Sequence, residues 1–239
     1  MRTLDQFVDL VLERTGAVWA PLAQESVFAL GGGIGKVSEA FGSRVGGYRG
    51  VGTYVSPRAI VGEDVYIGDR CRVHDFACVR DHSVLLDDVV VGHCTEVARS
   101  VVFSGSTISH KVTVCDSLIG RDVNLGASVT LASPSFFNTD MRRLTRTIRV
   151  RLSSGGFDTG LVKCGSVMGD GCRVGMNACL APGVLLHPEC VIYPAVYLRS
   201  GEYEAGTIVK LRQRLQFVRR EPAPAGQEGL AIARFPASG

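Results

Sequence analysis

Five histidines, eight cysteines and two dense clusters of basic residues hold most of the reactive chemistry in this chain. A neutral imidazole accepts a proton near pH 7, so His74, His82, His93, His110 and His187 are each candidate general bases. No two of these histidines stand close together in the sequence, so no histidine metal site is expected. None of Cys71, Cys78, Cys94, Cys115, Cys164, Cys172, Cys179 and Cys190 forms a C-x-x-C pair. They read as small, reduced and mostly buried residues. Arg142, Arg143, Arg146, Arg149 and Arg151 share a stretch without an acid from Met141 to Leu152, and Lys210, Arg212, Arg214, Arg219 and Arg220 form a second cluster. Fixed cations of this kind suit phosphate groups or a solvated surface. Gly31-Gly32-Gly33-Ile34-Gly35-Lys36 imitates a phosphate loop, but Leu30 stands where a P-loop needs glycine and Val37 where it needs Ser or Thr. It reads as a turn between helices.

What must position these groups is a repeat. An apolar residue recurs every six positions at Val61, Ile67, Val73, Val79, Leu85, Val91, Val97 and Phe103. The series resumes at Ile119, Leu125 and Leu131, and again at Val162, Met168, Val174, Leu180, Leu186, Ile192 and Leu198. Small residues often follow, as at Gly62, Gly68, Gly92, Ala98, Gly120, Gly126, Gly169, Gly175 and Ala181. Period six fits neither an amphipathic helix nor a hairpin meander. It fits a solenoid whose six-residue units each make one flat side, with the aliphatic residue inside and three units per turn. About six to seven coils are expected over residues 57–200. With 29 glycines and few aromatics, the composition favours short strands and tight turns.

The flanks differ. Leu4, Phe7, Val8 and Val11 have helical spacing, and a second helix is expected through Ala20–Leu30. Asp5, Asp9 and Glu13 interrupt what a signal peptide needs, and no apolar run approaches 18 residues, so a cytoplasmic protein without membrane attachment is expected. Net charge is only +3, which gives no bulk argument for nucleic acid. Residues 134–160 break the repeat. Thr147–Leu152 alternates charged and apolar residues before Ser153-Ser154-Gly155-Gly156, which predicts a β-hairpin arm thrown out from the coil. The expected organisation is a helical segment at 1–50, a β-helix at 51–200 with its arm, and a basic extension with a loose tail at 201–239.

The stretch SVVFSGSTISHKVTVCDSLIGRDVNLGASVTLAS from Ser100 to Ser133, followed by DTGLVKCGSVMGDGCRVGMNACLAPGV, sharpens the reading. Over roughly residues 57–200 the chain resembles hexapeptide-repeat acyltransferases, in particular the acetyltransferase domain of bifunctional and archaeal-type N-acetylglucosamine-1-phosphate uridyltransferases. The resemblance implies an all-β, left-handed parallel β-helix. The pyrophosphorylase loop of the bifunctional enzymes does not occur in these residues, so nucleotidyl transfer is not expected.

The resemblance also implies a mechanism. His110, in the SH before VCDSLIG, becomes the general base that takes a proton from an amine attacking acetyl-CoA or another acyl-CoA. The acceptor, an amino sugar phosphate or a related small amine, falls to Arg80 in CVRDH, Asn124 in DVNLG and Lys163 in GLVKCG, with Glu96 and Thr113 nearby. Ala127 and Ser128 fall where backbone groups would face the thioester carbonyl. Ser133, Met176 and Pro194 match further positions near acetyl-CoA, and the cluster from Lys210 could face its phosphates. Three matched positions differ in type from the family: Ala98 replaces a lysine, Thr113 a tyrosine and Ser133 an asparagine. A homotrimer with the site between subunits is implied. Two other readings remain open: a non-catalytic trimeric scaffold or regulatory subunit, and an O-acyltransferase using the same histidine.

Overall fold

The computed structural model describes residues 47–219, together with Thr3 and Gln6. The expected N-terminal helices, the Gly31–Lys36 turn, Arg220 and the tail lie outside the described residues. Among the described residues the architecture is all β: short strands, mostly of two or three residues, stack in parallel into three ladders of eight, seven and seven strands. Face 1 runs from Tyr54–Val55 to Ile208–Val209, face 2 from Ile60–Val61 to Tyr197–Leu198, and face 3 from Tyr66–Ile67 to Gly201–Tyr203. The chain visits the faces in turn, so the three ladders close a triangular solenoid. Its last strand ends at Val209, past residue 200. No described helix is long and apolar enough to cross a membrane.

Nearly every strand of the three ladders contributes one aliphatic side chain inward. Ile67, Val73 and Val79, and above them Leu85, Val91 and Val97, are fully buried in one continuous core, with Val61 packed at its lower end. Burying one such side chain contributes about 1.5–3 kcal/mol, so the stacked column supplies the main stabilising term. Most corners turn through a residue of positive φ. Between faces 1 and 2 these are Phe76, Cys94, Lys111, Ser128, Asn177 and Ala195; between faces 2 and 3, Asp81, Arg99 and Asp116. The left-handed conformation redirects the chain without a long loop.

Two expectations are corrected. Phe103 does not point inward. The coil from Leu85 to its partner Val102 is one residue shorter than the coil from Ile67 to Leu85, so the inward series moves to Val102, Ile108 and Val114. Phe103 lies outside face 3 in a second cluster with Leu118, Leu185, Ile148 and Val150. Nor does the arm project away. Its strands Arg149–Leu152 and Gly155–Asp158 do pair antiparallel, but the hairpin lies back against the solenoid. Ile148 and Val150, 4% and 1% exposed, pack on the outward apolar residues of face 3, while Arg149 and Arg151 face away. An alternating strand buries its apolar side wherever a matching apolar surface exists. Ser200 Oγ donates to the Arg149 carbonyl at 2.9 Å and holds the arm at the top coil.

Candidate functional site

The corner between faces 1 and 2 brings one group of expected residues together. Ile108 pairs with Leu125, Leu125 with Val174 and Val174 with Ile192. Two residues further on, His110, Ala127, Met176 and Pro194 therefore stack in a single column, each coil about 4.8 Å above the last. His93 lies one coil below His110. The next column holds Ser128, whose N–H donates to the His110 carbonyl at 2.9 Å. The top of the corner carries Lys210, its Nζ 5.1 Å from the centre of the Tyr193 ring. His110, Met176 and Pro194 are exposed.

The His110 ring has a defined partner. The backbone N–H of His93 donates to His110 Nδ1 at 3.2 Å. A neutral imidazole accepting at Nδ1 carries its own proton on Nε2. In this orientation the ring offers solvent a donor. One coil up, the equivalent N–H belongs to Ala127, and among the described residues it makes no hydrogen bond. Of the two expected oxyanion positions, Ser128 has its N–H engaged in the corner ladder and Ala127 has its N–H free.

The other expected residues lie elsewhere. Glu96 and Thr113 are register partners on face 2. Asn124 points out from face 1, between Thr107 and Arg173. Arg80, Ser133 and Lys163 sit at the edge between faces 2 and 3, where the arm leaves and returns; Lys163 bridges Pro134. Arg80 is not a free cation. Its Nε and NH2 donate to Glu96 Oε1 at 3.1 and 2.6 Å, and its NH1 donates to Asp81. The bond to Glu96 holds its pKa above the usual arginine value.

Arg99 donates to Asp81 at 2.8 Å and to Asp116 at 2.7 and 3.1 Å, and Ser133 Oγ donates to Asp116 Oδ2 at 2.5 Å. Sequence reasoning noted Arg99 only as the cation beside Ala98, and it gave no role to Asp81 in CVRDH or to Asp116 in VCDSLIG. The edge thus links two guanidinium groups to three carboxylates. Ser133 serves this network, on the far side of face 2 from Ala127 and Met176. Among the described residues no cluster of His, Cys, Asp and Glu has metal-binding geometry.

Residues 50–135 match the family model described as the GMPPB C-terminal domain. The chain is 31% identical, over 116 residues, to the bifunctional sugar-1-phosphate nucleotidylyltransferase/acetyltransferase of Sulfurisphaera tokodaii, covering 48% of this chain and 27% of that one. It is 29% identical, over 141 residues, to the bifunctional protein GlmU of Methanocaldococcus jannaschii, covering 59% of this chain and 32% of that one. The matches thus span about a third or less of these longer relatives. Among solved structures, a mutant of AntD, an N-acyltransferase from Bacillus cereus in complex with dTDP and coenzyme A, aligns over 70% of this chain and 86% of its own at 13% identity and TM-score 0.43.

Proposed function

We propose that the chain transfers an acyl group, acetyl in the first instance, from acyl-CoA to a small amine such as that of an amino sugar. The observation that carries this reading is the corner column of His110, Ala127, Met176 and Pro194, with Lys210 at its top. An extended thioester arm laid along the column meets apolar Met176 and Pro194, then the free N–H of Ala127, then the imidazole of His110. The amine nitrogen attacks the thioester carbonyl, whose oxygen gathers charge at the Ala127 N–H. The amine proton passes to His110, the carbon–sulfur bond breaks, and CoA leaves as the thiol once protonated. For this the His110 ring must turn over, releasing the His93 N–H and presenting an unprotonated nitrogen to the amine. Both groups are exposed, so water replaces the lost bond.

The acceptor's amine lies at the face-2 margin beside His110, next to Thr113 and Glu96. The acting species is a homotrimer. Tyr54, Ile60 and Tyr193 leave faces 1 and 2 with large exposed apolar side chains, as surfaces that meet a partner do.

The experiment is a panel of acyl-CoA donors against amines and hydroxyl controls, followed by free-thiol release. His110→Ala is expected to lose roughly 10²–10⁴ of the rate while the fold is kept, with partial recovery at high pH where the amine is already neutral. A variant that turns over like the parent overturns the mechanism and favours the scaffold reading. That second reading has its own observation: in the present ring orientation His110 Nδ1 is already occupied.

A further inference from the structure

Where the arm returns to the top of face 2 it leaves a cleft of about 720 Å³. Its lining combines two kinds of group. Phe136, Phe137 and Tyr197, 88%, 71% and 66% exposed, are among the residues that line it. Three arginines, Arg146, Arg149 and Arg199, also line the cleft, and no Asp or Glu does. Arg149 is lightly tied to Asp158 at 3.5 Å, Arg146 lies over the Phe137 ring at 5.2 Å, and Arg199 has no acidic partner among the described residues.

The loop carrying these groups is held in shape from beneath. Buried Asn138 accepts the N–H groups of Thr145 and Arg146 at 3.0 and 2.9 Å and donates to the Ser135 carbonyl at 2.9 Å. Exposed aromatic rings cost apolar hydration, and unpaired arginines repel one another. A ligand with a flat aromatic part and two or more negative charges relieves both at once.

We infer that this cleft seats a nucleoside diphosphate, the base on the aromatic rings and the phosphates on Arg146 and Arg199. Its place on the solenoid says how it serves the reaction. Tyr197 stands in the same face-2 column as Cys179, Thr130, Thr113 and Glu96. Three coils, about 14 Å, separate it from Thr113. A nucleotide handle in the cleft therefore directs an attached amino sugar down face 2 toward His110. The assignment to an acceptor rests on the acyltransferase reading; the nucleotide site itself does not. The same chemistry also occurs in the adenosine end of CoA, and the test separates the two sources.

The full chain is titrated calorimetrically with UDP, GDP, dTDP and ADP, with CoA and 3′,5′-ADP, and with pyrophosphate. At least one of the first four is expected to bind, better than pyrophosphate. Arg199→Gln and Phe137→Leu, both at exposed positions, are each expected to weaken it about tenfold or more, with Arg199→Lys intermediate. His110→Ala is expected to bind the nucleotide like the parent, so loss of catalysis and loss of the site are distinguishable. No nucleotide binding, or binding indifferent to Arg199 and Phe137, overturns the proposal. So does CoA or 3′,5′-ADP binding alone with that sensitivity, which assigns the cleft to the donor.

Discussion

The hydrogen bond from the His93 backbone to His110 Nδ1 can be removed without touching either the ladder or the base. His93 stands two residues after Val91, in the corner position that Pro57 and Pro194 occupy two residues after Val55 and Ile192. Proline is therefore compatible with this corner, and the N–H of His93 makes no other hydrogen bond. His93→Pro deletes the donor. A net neutral hydrogen bond contributes about 0.5–1.5 kcal/mol, and both partners here are exposed, so the lower half applies. If the ring must break this bond to act as a base, its loss raises kcat/KM by about two- to fivefold at 1.36 kcal/mol per decade. His93→Ala is the control. It keeps the N–H but removes the imidazole and its edge contact with the Phe76 ring at 5.5 Å, and should stay within about twofold of the parent. Initial rates of thiol release on the best amine give the comparison, with circular dichroism confirming the fold. A folded His93→Pro variant that loses activity tenfold, or behaves like His93→Ala, refutes the ring-turning argument.

Ile148→Ala is expected to destabilise by about 2–4 kcal/mol, read by denaturant unfolding, because it opens a cavity between the arm and face 3; it should also weaken nucleotide binding at the cleft. Sedimentation velocity at micromolar concentration is expected to give a trimer; a clean monomer removes the subunit-interface part of the proposed function.

The repeat was readable because an inward aliphatic every six residues is the physical requirement of a three-sided coil, and the inward positions of Val61, Ile67, Val73 and Val79 on successive faces follow from counting. Counting fails where coil length changes. One residue fewer between Leu85 and Val102 turns Phe103 from an inward to an outward position. A further signal was present and unused: face 3 has apolar residues at both positions of YI, VL, VV and LI. Strands apolar on both sides are covered on both sides, and the upper part of that surface receives the arm. The site was less accessible. A backbone donor such as the His93 N–H has no letter in the sequence. The pairing of Arg80 with Glu96 spans 16 residues and depends on coil register. Matching residue types places a cation, but not its state of neutralisation.

That neutralisation bears on which acceptor fits. At the edge between faces 2 and 3, Arg80 and Arg99 are surrounded by Asp81, Glu96 and Asp116, so the linked groups carry one more negative than positive charge. A phosphate arriving there must displace a carboxylate at hydrogen-bond distance from Arg80, and it is repelled by the remainder. Ala98 stands in register with Arg80, where a lysine would have brought the linked groups only to neutrality. The cleft at the top of the same face has the opposite character, with three arginines and no Asp or Glu in its lining. An acceptor with its anionic groups at the cleft and its amine at His110 satisfies both regions. One with its phosphate beside Arg80 satisfies neither. Under the proposed reaction, this charge distribution favours a long acceptor, anchored by its phosphates at the top of face 2, over a sugar monophosphate lying across the middle of it.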